Sequence, residues 1–174
     1  LYTTWAPDYP GTENGLFVSD THRDILKVAV LNRYKPQKPA VGFIKNFGLQ
    51  KGALATSIAH DSHNLIAIGT DDHSLMLVLN RLVEQKGGIV VFDGEHYHSL
   101  ILEIAGLMTH QPAEKVASKN LELTQIVSQL GCTLEAPFMT LSFMALPVIP
   151  ELKITDRGLF DVQKFAYTSL YVEQ

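Results

Sequence analysis

Between Ala53 and Gly69 two apolar runs, ALATSIA and LIAIG, are separated only by His60-Asp61-Ser62-His63-Asn64. Neither run has the roughly ten residues an independent helix needs, so both read as short strands joined by a polar loop. If extended, the first run sets Leu54, Thr56, Ile58 and His60 on one face and Ala53, Ala55, Ser57 and Ala59 on the other. The small-residue face implies close packing by a second layer. The five-residue knot then falls in a loop at the sheet's edge, where a rigid scaffold presents functional side chains.

The flanking sequence extends this pattern. ILKVAVLNRY from Ile25 to Tyr34 reads as a strand, Pro36 and Pro39 break it, and VGFI is a second strand. Asp71 or Asp72 caps a helix with Leu75, Val78, Leu79, Leu82 and Val83 on one stripe, which Gly87 stops. IVVF, the Asp93-Gly94 turn and EHYHSLILEI form a hairpin. A second helix starts at Pro112 as its first residue, shows Val116, Leu123, Val127 and Leu130 on one side, and ends at Gly131.

Beyond Cys132, an apolar segment interrupted by Pro137, Pro147 and Pro150 either wraps the core or forms an interface. Residues 1–20, with Tyr2, Trp5 and Tyr9 among turn formers, read as an extended lead-in or linker, an arm or the start of a piece cut from a longer chain. The expected fold class is mixed α/β, of the α+β kind. Residues 21–174 make one domain, a mixed, largely antiparallel sheet packed by two main helices, and not a (β/α)₈ barrel.

Composition narrows the partners. A chain of 174 residues buries roughly 70% of its unfolded surface and needs no staples. A net charge of −4 with scattered Lys and Arg argues against nucleic acid and anionic membranes. One cysteine, Cys132, makes no internal disulfide, so a reducing, cytoplasmic setting is expected. No run reaches the roughly 18 apolar residues of a span, and LYTTWAPDYPGTENG is not a signal peptide.

The familiar catalytic signatures are missing. There is no G-x-G-x-x-G after a strand, no phosphate loop, no G-x-S-x-G and no H-E-x-x-H, and Cys132 lacks the partner a zinc deaminase motif requires. For the knot, three readings stand: an Asx-type turn held by Asp61 and Asn64, metal ligation by His60 and His63 with Asp61, or a loop completing a site on another domain. His96 and His98 read as a surface pair, His73 and His110 as helix-start residues, and Cys132 as a buried small hydrophobe. Lys45, Lys51 and Arg157 read as surface cations, with an ion pair anchoring the Asp156-Arg157-Gly158 turn as the alternative.

Several blocks in order carry a more specific signal: GFIKNFGLQKGALATSIAHDSHNLIAIGTDD, IAGLM with PAEKVA, and GCTLEAPFMTLSFMALPVIPELKITDRGLFDV. From about Asp24 to Val162 the chain resembles the carboxyl-terminal domain of bacterial adenine deaminase, in the amidohydrolase superfamily. The likeness weakens over residues 1–20, His96–Glu103 and the last dozen residues.

The resemblance implies a part of an enzyme converting adenine and water to hypoxanthine and ammonia. Its manganese or iron belongs to an N-terminal barrel that is not in this chain. The expected partners are that barrel, adenine as substrate of the whole enzyme, and a second copy in a homo-oligomer. This fragment alone is expected to be inactive, with no metal or cofactor of its own.

His60, Asp61, Ser62, His63 and Asn64 are then candidate active-site-facing residues. With Phe47-Gly48-Leu49 and Thr140-Leu141-Ser142-Phe143, they would pack on the barrel mouth, contact the purine, or support the barrel's metal from outside its ligand shell. The competing expectation is a non-catalytic dimerisation or stability module with Ala136 to Leu152 as its interface.

Overall fold

The computed structural model describes residues 8–171. Its centre is a six-stranded sheet in which every neighbouring pair is antiparallel. The strands are β3 (Ile25–Leu31), β4 (Ala40–Lys45), β5 (Ala53–Thr56), β6 (Leu65–Gly69), β7 (Gly88–Phe92) and β8 (Tyr97–Ile101), in the order β4-β3-β6-β5-β7-β8. Among the described residues no sheet closes into a barrel. The chain is a mixed α/β domain, as the strand-turn-helix pattern predicts.

The two faces differ as the side-chain alternation requires. Ala29, Ala53, Ala55 and Ala67 face helix α1 (Asp72–Glu84), whose Leu75, Val78, Leu79 and Leu82 fill that layer. Small residues let the helix lie close: a Cβ on Gly69 would stand 2.9 Å from Leu75 Cγ. The opposite face buries Leu26, Val28, Val30, Leu54, Ile66, Ile68 and Val91 under helices α2 (Ala113–Gln129) and α3 (Pro137–Met144).

Local signals set the helix ends. Asp71 is the α1 cap, accepting from the Ser74 amide at 2.7 Å. Gly131 ends the α2 region with φ +107°, a conformation that glycine adopts without Cβ strain. The Asp93-Gly94 hairpin joins β7 to β8 in the register Phe92↔Tyr97, and Asp93 also accepts from the amides of Glu95 and His96 at 2.8 Å.

Several expectations are corrected. Val83 lies on the solvent side of α1, half exposed, because a position following Leu82 rotates past the buried stripe. Pro112 precedes α2 as its capping residue rather than standing inside it. The first apolar run stops being a strand at Thr56, where the Thr56 hydroxyl takes the Ile58 amide at 3.0 Å and turns the chain. The apolar segment after Cys132 contains a third helix, α3, and buries Phe138, Leu141, Met144, Ala145 and Leu146.

Residues 8–20 carry two short strands packed beside the main sheet. Strands β1 (Gly11–Glu13) and β2 (Leu16–Val18) form a hairpin. Ser19 Oγ donates to the Gly69 carbonyl and accepts the Lys27 amide, while Asp8 joins Arg23 (3.0 Å) and Lys45 (2.5 Å). Tyr2 and Trp5 lie outside the described residues. At the other end, β9 (Leu152–Thr155), β10 (Gly158–Asp161) and β11 (Ala166–Tyr167) make a small sheet against β4.

Candidate functional site

The knot occupies the connection from β5 to β6, residues 57–64, at the end of two central strands. This corrects the sheet-edge expectation: β3 and β7 flank the pair, so the loop rises from the rigid middle of the sheet. Ser57 Oγ anchors its base, accepting the Gly88 amide at 2.7 Å and donating to the Gly106 carbonyl at 2.5 Å.

Each knot residue has its own role. Asn64 is buried, and its Oδ1 accepts the Arg33 amide at 3.2 Å. His63 has φ +52° and donates its amide to the Ala59 carbonyl at 2.6 Å. Arg33 donates to the His63 carbonyl at 3.3 Å and the Ala105 carbonyl at 2.6 Å. Tyr34 Oη donates to the Ser62 carbonyl at 2.8 Å.

The polar groups therefore divide into framework and display. Backbone carbonyls and Asn64 are held from β3 and its following turn, whereas Asp61 and Ser62 are exposed. The Asp61 carboxylate makes no hydrogen bond or ion pair with any described residue. The expected local Asx turn is thus absent among the described residues: Asn64 instead accepts from the Arg33 amide, in the bend after β3.

The histidines are held more specifically. His60 Nδ1 lies 2.9 Å from the hydroxyl of Ser142, a residue of α3 that is 2% exposed. The His60 ring centroid is 5.5 Å from Phe143 and 5.8 Å from His63. His63 Nδ1 is enclosed with no described hydrogen-bond partner. Burial, reinforced by His60 and Arg33 and opposed by Asp61, holds the His63 imidazole below its ordinary pKa and favours the neutral ring.

Among the described residues, no three His, Cys, Asp or Glu side chains come together as a metal-ligand group. The two imidazoles lack a third protein ligand, and Ser142 already engages one His60 nitrogen. The site fits hydrogen bonding better than autonomous ligation.

The other candidates separate cleanly. His98 Nε2 bonds Asp93 at 2.8 Å, partly buried, and the neighbouring His96 is exposed. His73 is exposed in the first turn of α1, and the His110 amide donates to Glu103 at 2.9 Å. Burial pushes the Cys132 thiol pKa up, consistent with an inert core thiol. Asp156 is held by Asn32 at 2.7 Å, and Arg157 stacks 4.8 Å from the Tyr167 ring, so the alternative of an Asp156–Arg157 ion pair gives way to two separate contacts.

Phe47 and Leu49 are core residues, 1% and 0% exposed, and cannot form an outer face with the knot. Leu141 and Ser142 are buried as well, leaving the partly exposed Thr140 and Phe143. Sequence reasoning missed Arg33 and Tyr34 as loop clamps. It missed the specific role of Ser142 too, although a hydroxyl inside FMTLSFM is a polar exception that signals a buried partner.

The family model for the adenine deaminase C-terminal domain matches residues 1–166. The chain belongs to that family. The match includes residues 1–20 and the hairpin at His96–Glu103, where the resemblance from the sequence blocks is weak. An adenine deaminase of Methanosarcina acetivorans is 53% identical over 166 residues, covering 95% of this chain and 30% of the relative. Relatives of the same name from Salinibacter ruber and Dehalococcoides mccartyi are 48% and 50% identical, covering 93% and 88% of this chain. The chain spans about 30% of the curated relatives it matches first. No described helix is long and apolar enough to cross a membrane.

Proposed function

We propose that this C-terminal domain helps to close the active site of an adenine deaminase whose catalytic barrel lies outside this chain. The observation that carries the reading is the knot's construction: Arg33, Tyr34 and Ser142 hold its inner side while Asp61 and Ser62 face outward. A loop with a braced base and exposed polar tips suits docking over a polar site. Excluding water there strengthens the contacts that orient a purine and stabilise charge at the carbon losing ammonia.

In this reading the whole enzyme belongs to the amidohydrolase superfamily, acts in purine metabolism in the cytoplasm, and converts adenine and water to hypoxanthine and ammonia. The barrel supplies the ligands for manganese or iron, which would activate water. In this reading the domain's own part is contact, orientation and water exclusion. His60 and His63 offer imidazole nitrogens for such contacts, and Asp61 a carboxylate that can accept from a purine amino group or ring N–H.

In the full-length enzyme, Asp61→Ala or His63→Ala should lower turnover at least about tenfold, equivalent to roughly 1.4 kcal/mol of transition-state stabilisation, with the fold intact. Wild-type turnover in both variants sinks the proposal.

The second reading is a dimerisation module using Ala136 to Leu152. Met139 and Val148 are its exposed apolar side chains, at 56% and 66%. Phe138, Leu141, Met144, Ala145 and Leu146 of this segment are buried in the domain's own core, which leaves less apolar area for an obligate interface.

A further inference from the structure

We infer that Ser142 is a positioning residue that acts through His60, setting which imidazole nitrogen the knot presents toward the substrate site. This inference rests on the closure reading above and assigns it a specific pair. The hydroxyl and His60 Nδ1 are 2.9 Å apart, and the residues are separated by 82 positions in sequence. Their contact bolts the β5–β6 loop onto α3.

The geometry favours orientation over simple cohesion. Ser142 is almost fully enclosed, so its hydroxyl has little access to water as an alternative partner. Phe143 and His63 border the His60 ring, with centroids 5.5 and 5.8 Å away. With Nδ1 engaged by Ser142, Nε2 is the ring atom left for a ligand, and the bond at one nitrogen biases the proton on the other. Removing the hydroxyl leaves the ring free to rotate and exchange the two nitrogens. The bulk of Leu141 and Phe143 around it is untouched.

The test uses the full-length deaminase with adenine. His60→Gln should lower kcat at least about tenfold. Ser142→Ala and Ser142→Cys should each lower kcat about three- to tenfold while changing KM less than about twofold, and Ser142→Thr, which retains a hydroxyl, should recover activity. In the His60→Gln background, Ser142→Ala should have no further effect on kcat, because its route of action is already gone.

Wild-type kcat in both Ser142→Ala and Ser142→Cys, with His60→Gln impaired, overturns the positioning role and leaves the closure reading standing. A loss from Ser142→Ala that persists undiminished without His60 also overturns it. Wild-type kinetics in His60→Gln removes His60 from the closure reading and overturns the positioning role with it.

Discussion

The Tyr34 hydroxyl donates to the Ser62 carbonyl at 2.8 Å, linking the turn after β3 to the exposed tip of the β5–β6 loop. With Arg33 gripping the next carbonyl at His63, two consecutive residues of one connection fix two consecutive peptides of another. The loop's shape is therefore imposed from outside its own sequence. Its exposed side chains can be polar and unbonded while its backbone stays ordered.

Removing that clamp should loosen the loop without unfolding the domain. Tyr34→Phe is expected to cost no more than about 1.5 kcal/mol, the range for one hydrogen bond at a partly solvated site. Hydrogen exchange should accelerate at amides 60–63 and stay unchanged in α2. Unchanged exchange at the loop would show that Arg33 and Asn64 suffice.

The acid response of the loop should come from His63. Its folded-state pKa lies below the ordinary value, chiefly through burial, so the unfolded chain binds the proton more readily. Stability from the neutral ring is full above about pH 6.5 and falls as pH drops through that value toward the depressed folded pKa. Denaturant midpoints measured across this window should decline less steeply in His63→Gln than in the wild type. Equal slopes would remove His63 as the source.

Gly131 should tolerate no side chain. Its φ is +107°, and a Cβ would stand 2.6 Å from the Gly48 carbonyl oxygen and 2.8 Å from Gln50 Cγ. Gly131→Ala is expected to destabilise by at least about 1–3 kcal/mol through backbone strain and this collision. Equilibrium unfolding in urea measures it, and a change below about 0.5 kcal/mol would mean that the Gly48 and Gly131 backbones separate easily.

What was legible in the sequence follows the range of the interactions involved. Asp71 capping, the Asp93-Gly94 turn and the alanine face of β5 depend on neighbours a few residues away, and each is readable from spacing. The central position of the HDSHN loop depends on β3 pairing with β6 and on β5 pairing with β7, which local periodicity does not encode. The same holds for the loop's supports. Arg33 reaches His63 across 30 positions and His60 meets Ser142 across 82. The helix Pro137–Met144 was hidden because buried residues occupy much of its circumference, leaving no polar stripe to reveal a helical period.

We propose that the catalytic barrel covers the exposed tip of this loop in the whole enzyme. Ser62→Cys tests it directly, since Ser62 is exposed and the natural Cys132 is 3% exposed. Maleimide labelling at position 62, followed by peptide-resolved mass spectrometry, should be fast in this 174-residue chain. It should be at least about tenfold slower in the full-length deaminase, the factor that roughly 1.4 kcal/mol of protection produces, and slower again with adenine present. Equal labelling rates in the isolated chain and the full-length enzyme, with and without adenine, would show that the barrel does not cover this loop.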